Sequence, residues 1–329
     1  MRGFDYYRVT TVAQAISLLK RYQETAAILA GGSDMLTMMK DRLRGPKLRA
    51  PQHLIDIKGI KDLDLIREQK DGLRIGATVT LRNIASSPLV AGKYPLLAQA
   101  AGQVGVPQIR NVATLAGNLC QRPRCWYFRG KLFKDCFRKG GGTCYAAAGE
   151  NQYHAIFPAG SCCMVCSSDL ATALTALRAS VEVATSKGTK LIPIEQFYLG
   201  PEKNPLRETI LGPAEMVQSV VIPIPEKSSK GTYLKLKERE AFDFAIVSVA
   251  AMATFRDDVV SYVRIVLGSV APVPWRATGA EEALRGKRVG DSIAAACAVA
   301  VEGASSLSGN GYKVKAAKGL VEKAVTSLA

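Results

Sequence analysis

The pattern of hydrophobic and polar positions over residues 1–58 predicts a small α/β unit. The predicted elements are a helix over 11–22, a strand over 26–30, a helix through Met35, Leu36 and Met39, and a strand over 54–57. The first strand stops at Gly31-Gly32, and Ser33 or Asp34 can cap the helix that follows. A strand, a glycine turn and a helix in this order leave free backbone N–H groups at the helix start, where a phosphate can bind.

In the middle of the chain the predicted strands and helices are interspersed. In the last third the predicted strands come first and the helices follow. Up to a polar linker at 226–230, the pattern predicts strands over 73–79, 181–184, 190–192 and 217–224, and helices over 80–86, 94–104 and through Leu170, Leu174 and Leu177. After the linker it predicts strands over 233–237, 245–253 and 259–267, then helices over 280–284, 293–301 and 314–328. Strands followed by helices indicate an α+β layer. We therefore predict three units, 1–58, 59–225 and 231–329.

Length and composition are those of a large globular protein. The 329 residues suffice for two or three domains, and the 48% hydrophobic content supports a sizeable core. No apolar run approaches the roughly 18 residues that a membrane span needs. Residues 1–7 lack the apolar region of a signal peptide. We therefore expect a cytoplasmic protein with reduced or metal-bound cysteines, although a cofactor-loaded partner could still carry it across a membrane.

The net charge of +16 indicates a surface rich in lysine and arginine. Nucleic-acid binding is disfavoured, because the chain has no basic helix with interleaved aromatic residues and no zinc-finger spacing of cysteine and histidine. Acidic protein partners or an anionic substrate such as an acyl-CoA fit the charge equally well.

Seven of the eight cysteines crowd into one segment, at positions 120, 125, 136, 144, 162, 163 and 166. Only Cys163 and Cys166 have the C-x2-C spacing of a zinc ribbon, which needs two such pairs. The segment is also basic, with Arg122, Arg124, Arg129, Lys131, Lys134, Arg138 and Lys139 against the single acid Asp135. Such surroundings favour a thiolate-bound cluster of net negative charge, and the glycines at 140–142 would let the chain bend around it. Burial as small hydrophobic residues is the alternative, and it suits Cys297 better than this polar segment.

Two glycine-bearing loops are the second candidate site. They read Ala-Gly-Gly-Ser-Asp at 30–34 and Ala-Thr-Leu-Ala-Gly-Asn at 113–118. Neither matches G-x-G-x-x-G or a Walker A sequence, and each alone is more often a simple turn. Two such loops in one chain could embrace a pyrophosphate from both sides, which suggests a dinucleotide site of a different type.

Four segments in this order carry a family resemblance: residues 30–34, residues 113–119, Asp-Phe-Ala-Ile-Val-Ser-Val-Ala at 243–250, and Gly-Ser-Val-Ala-Pro-Val-Pro-Trp-Arg-Ala at 268–277. Over nearly its whole length the chain resembles the flavin-binding medium subunit of molybdenum hydroxylases, the xanthine dehydrogenase and carbon monoxide dehydrogenase group. The resemblance implies an α+β fold. A PCMH-type FAD-binding domain of two α/β subdomains would precede a C-terminal domain of antiparallel sheet and helices.

Part of this family carries an inserted loop with a [4Fe-4S] cluster, as in 4-hydroxybenzoyl-CoA reductase and an aldehyde oxidoreductase. Arg-Cys-Trp-Tyr-Phe-Arg at 124–129 looks like the start of that insertion, which would cover about 120–163. By resemblance the cluster ligands are Cys125, Cys136, Cys144 and Cys162. Cys163 and Cys166 leave the fourth ligand open, and Cys120 is unassigned.

The resemblance also implies the FAD-binding residues. They are Ala30, Gly31, Gly32, Ser33, Asp34, Met35, Thr114, Ala116, Gly117, Asn118, Asp169, Phe197 and Lys235. For three of them an ordinary structural role is the alternative. Asp169 can equally cap a helix, Phe197 can belong to the core with Tyr198, and Lys235 can be a solvated charge on a strand.

The implied role is electron transfer, with no catalytic residue on this chain. A large partner would hold a molybdenum–pterin centre, a small partner two [2Fe-2S] clusters, and the assembly would be a dimer of heterotrimers. Ferredoxin is a plausible external carrier, and the basic patch around residues 122–139 would suit an acidic ferredoxin. Reversing Arg122, Arg124 and Arg129 to glutamate is predicted to slow ferredoxin-linked turnover much more than dye-linked turnover. The alternatives are transfer to NAD with a purely structural cysteine loop, a flavin-free scaffold stapled by zinc, and an independent FAD oxidase.

Overall fold

The computed structural model describes residues 1–329, which form three sheets in chain order. The first unit contains β1 (Asp5–Arg8), α1 (Val12–Tyr22), β2 (Ala26–Leu29), α2 (Met35–Lys40) and β3 (His53–Asp56). Its three strands are parallel, in the order β1-β3-β2. Helix α1 begins after Thr11, whose side chain forms a capping box with Gln14. The sequence pattern predicts α1, β2, α2 and β3 but does not predict β1.

The second unit is built on a five-stranded antiparallel sheet. Its elements are β4 (Ile66–Gln69), β5 (Gly72–Gly76), α3 (Leu81–Ser86), α4 (Pro88–Lys93), α5 (Pro95–Gly102), α6 (Pro107–Arg110), α7 (Leu115–Leu119), α8 (Trp126–Arg129), α9 (Asp169–Ala176), β6 (Ser180–Thr185), β7 (Gly188–Pro193), α10 (Ile194–Phe197) and β8 (Met216–Pro223). The strand order is β4-β5-β8-β6-β7. The cysteine region, between α7 and α9, is mostly irregular, with α8 and two short 3-10 turns.

The third unit is an antiparallel sheet followed by helices, as the pattern predicts. Its elements are β9 (Lys230–Leu236), β10 (Val247–Arg256), β11 (Val259–Gly268), β12 (Trp275–Arg276), α11 (Thr278–Leu284), α12 (Val289–Val299) and α13 (Tyr312–Thr326). The strand order is β12-β11-β10-β9. None of the helices has both the length and the apolar composition needed to cross a membrane.

A layer of helices joins the second and third sheets into one core. Residues of α5 and α9 pack in the same hydrophobic cluster as strands β5 and β8 and as Tyr233, Ala250 and Val266 of the third sheet. Helices α11 to α13 cover the other face of the third sheet. The second glycine loop and α9 therefore pack on this shared hydrophobic core.

A buried lysine ties α13 to the end of the cysteine region. Lys313 is fully buried, and its Nζ donates hydrogen bonds to the carbonyl oxygens of Tyr153 (3.2 Å), His154 (2.9 Å) and Ser269 (2.7 Å). Burial lowers the pKa of Lys313 to about 7. Asn310 binds the carbonyl of His154 as well, at 3.1 Å. The third unit thus fixes the position of His154.

Candidate functional site

The two glycine-bearing loops lie against each other. A Cβ atom at Gly31 would lie 2.0 Å from the carbonyl oxygen of Val112, so only glycine permits this approach. Gly32 has φ +74°, a conformation that favours glycine. In the second loop the Thr114 hydroxyl accepts a hydrogen bond from the backbone N–H of Gly117 at 3.2 Å. The loops form a narrow cradle, whose unbonded backbone N–H groups are those of residues 31–34, because the N–H groups of residues 115–118 donate within the chain.

A cavity of about 250 Å³ opens on one side of this cradle. Its lining includes nine predicted cofactor residues: Ala30, Gly31, Gly32, Ser33, Asp34, Met35, Thr114, Ala116 and Gly117. The remaining wall is mainly apolar, with Ile28 from β2 and Val217 from β8 among its residues. This side is suited to a flat, weakly polar group.

A second cavity, of about 290 Å³, lies on the other side and shares Ser33, Asp34 and Gly117 with the first. It brings in the predicted residues Asn118, Asp169 and Lys235. Its opposite wall comes from residues 242–244 and from Arg124, whose buried Nε has no hydrogen-bond partner within the chain. An extended ligand could therefore occupy both cavities and cross the cradle between them. These residues fit FAD, whose pyrophosphate separates two ring systems.

Asp169 and Lys235 form a buried ion pair at the floor of the second cavity. The Nζ of Lys235 lies 2.8 Å from Oδ2 of Asp169, and the Lys235 side chain is only 1% exposed. The hydroxyl of Tyr233 donates to Oδ1 of Asp169 at 2.5 Å. Burial, with Asp169 adding to it, raises the pKa of Tyr233 well above its usual value. Asp169 is not the cap of α9, because the Ser168 hydroxyl accepts from the N–H of Ala171 at 3.0 Å.

Asp34 joins the first glycine loop to the cysteine region. Its carboxylate accepts hydrogen bonds from the backbone N–H of Arg122 at 2.9 Å and from Nη2 of Arg129 at 2.7 Å, and Nη2 of Arg124 lies 3.0 Å away. The Arg129 guanidinium also binds the carbonyl of Pro123 at 2.8 Å. We call this set of contacts the Asp34 clamp. It holds residues 122–129, which include Cys125, against the first glycine loop, residues 30–34.

The predicted docking role of Arg122, Arg124 and Arg129 is wrong. Their side chains are only 21%, 26% and 15% exposed, and each pairs with a carboxylate inside the chain. Asp34 and Glu208 are those carboxylates, and Glu208 also pairs with the fully buried Arg138. These cations stabilise the insertion and do not present a free surface. Reversing their charge would disrupt the insertion itself.

The cysteine side chains gather from three segments. All eight cysteines are free thiols. The thiols of Cys162 and Cys163 donate hydrogen bonds to the sulfur of Cys144, which lowers the pKa of Cys144 far below its usual value. Cys125 and Cys136 interact electrostatically with Cys144. No three cysteine, histidine, aspartate or glutamate side chains converge closely enough to enclose a single metal ion.

The surroundings of these thiols fit an iron–sulfur cluster by their chemistry. The donors are sulfur atoms spread over several positions, as the separate iron corners of a cluster require. Lys139 is fully buried beside Cys136, and its Nζ donates to the carbonyls of Gly130 (2.6 Å) and Phe133 (2.9 Å) without any acidic partner. The ring nitrogen Nε2 of His154 lies 3.2 Å from Sγ of Cys125. Buried positive charge and N–H donors favour thiolates. Against this, burial raises the pKa of Cys125 to about 11 and also raises the pKa of Cys136, and the hydrogen bond to Cys144 together with burial raises the pKa of Cys162.

Phe197 lies away from both cavities, and two cysteines lie apart from the group around Cys144. Phe197 is fully buried in the hydrophobic core and lines neither cavity, so its contact with a flavin stays a prediction. Cys120 lines the first cavity, and Cys166 packs against the core near Tyr198. Neither belongs to the cysteine group around Cys144.

Sequence reasoning missed two parts of the site. It did not find the Asp34 clamp, because the ion pair between Asp34 and Arg129 spans 95 positions along the chain. It also missed Tyr233. The sequence could have indicated Tyr233, because Tyr233 and Lys235 are two residues apart on β9 and so share one face of the strand.

Together the fold and the cradle define a flavin-binding oxidoreductase subunit, and comparison with known proteins identifies its family. A family profile described as the FAD binding domain in molybdopterin dehydrogenase matches residues 2–225. A second profile, the CO dehydrogenase flavoprotein C-terminal domain, matches residues 232–328. The chain belongs to the family of FAD-binding subunits of molybdenum hydroxylases.

Curated relatives and solved structures agree with this family. The chain is 38% identical over 289 residues to the aldehyde oxidoreductase FAD-binding subunit PaoB of Escherichia coli, covering 86% of each chain. It is 29% identical to the carbon monoxide dehydrogenase medium chain of Hydrogenophaga pseudoflava, covering 98% of this chain and 96% of the relative. A structure of carbon monoxide dehydrogenase from that organism superposes with a TM-score of 0.77 over 99% of this chain and 97% of the other. The predicted α+β fold, FAD-binding domain first and antiparallel domain second, is confirmed.

Proposed function

We propose that this chain relays electrons through FAD and a [4Fe-4S] cluster, between [2Fe-2S] clusters of a small partner subunit and an external one-electron carrier such as ferredoxin. It acts as the FAD-binding oxidoreductase subunit of a molybdenum hydroxylase complex. The Asp34 clamp is the observation that carries the proposal. It fastens the cysteine region to the cradle, and a structural loop elsewhere on the surface would not need that connection.

FAD would be held by the residues that line the two cavities. The backbone N–H groups of residues 31–34 would take the pyrophosphate, residues 114–118 would form the facing wall of the cradle, and one ring system would lie on each side. Lys235 and Asp169 at the floor of the second cavity would supply one fixed positive and one fixed negative charge beside the cofactor. When bound, FAD allows two-electron steps to be exchanged for one-electron steps.

The cluster would be held by Cys125, Cys136, Cys144 and Cys162. The thiol-only donor set and the lack of a competing carboxylate favour iron and sulfur over harder metals. The buried Lys139 and the His154 side chain would stabilise negative charge on the sulfur atoms. Aromatic rings shield the insertion on one side, with the Tyr127 and Phe133 ring centroids 4.9 Å apart and those of Phe133 and Tyr145 5.0 Å apart.

Substrate oxidation would take place on a partner. We infer a large subunit with a molybdenum–pterin centre, a small subunit with two [2Fe-2S] clusters, and a dimer of such heterotrimers. Support comes from the relatives, which are named as medium chains or FAD-binding subunits of dehydrogenases and oxidoreductases. The 38% identity to a subunit of an aldehyde oxidoreductase favours aldehydes as the substrates of the complex.

The proposal predicts the cofactor content of the chain. We expect one FAD and about four irons on this subunit when the complex is purified anaerobically, in addition to the irons of the small partner. Metal analysis, flavin release and a visible spectrum measure this directly. One FAD without the extra iron would favour a structural cysteine loop and transfer to NAD. One zinc without flavin would overturn the proposal in favour of a zinc-stapled scaffold.

The fourth cluster ligand can be tested by two neighbouring substitutions. We expect Cys162→Ser to lose most of the iron of this chain and Cys163→Ser to keep it, because the Cys162 thiol is only 5% exposed and a cluster ligand is better shielded from water. Iron content and the cluster's electron paramagnetic resonance signal are the measurements. The reverse result would assign Cys163. Full iron in both variants and in a Cys136→Ser control would contradict the cluster.

A further inference from the structure

Two segments that pack on each other, residues 40–49 and part of the cysteine region, carry a group of exposed cations. We call it the basic face, and its members are Lys40, Arg42, Arg44, Lys47, Arg49, Lys131 and Lys134. All seven are exposed, and none of them forms an ion pair. Arg124 and Arg129 of the Asp34 clamp differ from them, because both form an ion pair with Asp34 inside the chain.

The two segments that carry these cations form one continuous surface. The backbone N–H of Lys47 donates to the carbonyl of Lys139 at 2.8 Å. A Cβ at Gly45 would lie 2.3 Å from Cβ of Lys139, and one at Gly140 would lie 2.5 Å from Cβ of Lys47. These glycines let residues 45–47 pack directly on residues 134–140. The segment that carries Lys47 therefore lies beside the segment that carries Lys134.

Two carboxylates lie among these seven cations. Asp41, between Lys40 and Arg42, forms no ion pair, and the carboxylate of Asp135 is occupied by the N–H of Gly142 at 3.1 Å and the hydroxyl of Thr143 at 2.5 Å. Leu132, between the two lysines of the insertion, is 88% exposed and offers an apolar contact point. Cys136 lies just beneath, two residues after Lys134 and paired through its backbone with Thr143.

We propose that the basic face is the docking surface for an acidic one-electron carrier protein. The inference rests on the proposed function, because the face is useful for electron transfer only if Cys136 binds a redox centre. Seven unpaired cations would steer a carrier of opposite charge to this position. Each encounter would pass one electron from a cluster held at Cys136 to one carrier, so that the cluster would be oxidised and the carrier reduced. The two electrons of a reduced flavin therefore need two carriers.

The composition of the face argues for a transient protein partner. A permanent subunit interface is large and has an apolar core, whereas this face has one exposed large apolar side chain among seven charges. Single-stranded nucleic acids stack their bases on aromatic side chains, and no exposed aromatic residue lies among the seven cations. Small, charged and weakly apolar surfaces are typical of electron-transfer encounters.

The test uses the assembled complex and an acidic [2Fe-2S] ferredoxin as probe. One variant carries Arg44→Glu, Lys47→Glu and Arg49→Glu, and a second carries Lys131→Glu and Lys134→Glu. The control carries Lys315→Glu, Lys318→Glu and Lys323→Glu, three exposed lysines of α13. We expect each test variant to weaken ferredoxin binding by at least about tenfold at low salt and to flatten its salt dependence. The control should bind as the unaltered complex does.

Iron and flavin contents, measured on the same samples, separate this inference from the proposed function. Wild-type binding by either test variant, or an equal loss in the control, would overturn the docking surface. Failure of the test variants to assemble with the partner subunits would also overturn it, because the face would then be a subunit interface. Charge-dependent ferredoxin binding by a chain without the extra iron would retain the docking surface and reject the cluster.

Discussion

Replacing Asp34 by asparagine is expected to reduce both FAD retention and the iron content of the chain. The carboxylate receives three donors from the insertion, and its partners Arg124 and Arg129 are only 26% and 15% exposed. Removing one member of a largely buried charge network costs about 3–5 kcal/mol when the other members stay unpaired. An asparagine can still accept one hydrogen bond, so we expect the lower end of this range.

Local hydrogen exchange distinguishes loss of the Asp34 clamp from general unfolding. We expect the amides of residues 122–139 to exchange at least about tenfold faster in Asp34→Asn, with little change in α12 and α13. Asp41→Asn is the matched control, because Asp41 lies at the other end of α2 and forms no ion pair. Full FAD and iron with unchanged exchange in Asp34→Asn would contradict the clamp.

Arg129 and Arg124 should contribute unequally to the same effect. Arg129 also binds the carbonyls of Pro123 and Arg122, so it closes the segment on itself, whereas the second contact of Arg124 is the side chain of Gln121 at 3.2 Å. Arg129 therefore ties residues 122 and 123 to Asp34 and should contribute more than Arg124. The basic residues of one short segment thus serve two purposes, internal clamping and surface charge.

The local sequence could not separate these two purposes. Hydrophobic periodicity located the longer helices and strands, because burial on one face is a local property of the chain, but it missed short elements such as β1, β4 and α8. Whether Arg129 points inward depends on Asp34, which is distant in sequence, and the same holds for Arg138 and Glu208. The glycine loops can be recognised in the sequence as short motifs. Their mutual contact, between Gly31 and Val112, depends on the tertiary fold and cannot be.

The burial of Lys235 could have been predicted from the alternation of residues along β9. A lysine on a strand is usually solvated, and that alternative is wrong here because the side chain is 1% exposed. The alternation along β9 places Lys235 on the same side as the buried Tyr233, which indicates an inward position. A buried lysine requires a partner, and Asp169 at the first turn of α9 supplies it.

Replacing Lys235 by methionine is therefore expected to destabilise the chain and to weaken FAD binding. Methionine fills a similar volume but leaves Asp169 buried with Tyr233 as its remaining hydrogen-bond donor. Breaking a buried ion pair on one side costs about 3–5 kcal/mol, which corresponds to a loss of about 5–10 °C in melting temperature for a large domain. Thermal unfolding and the FAD content of the purified chain measure the two effects. Lys230→Met, at an exposed position of β9, is the matched control and should change neither.

The double variant Lys235→Met/Asp169→Asn separates stability from cofactor binding. Removing both charges eliminates the unpaired carboxylate, so we expect at least half of the lost stability to return. FAD binding should stay weak, because the second cavity has then lost both fixed charges at its floor. Recovery of FAD together with stability would contradict a direct role of the pair in holding the flavin. Unchanged FAD content in the single variant Lys235→Met would also contradict a direct role of the pair, since Lys235 would then be only a structural partner of Asp169.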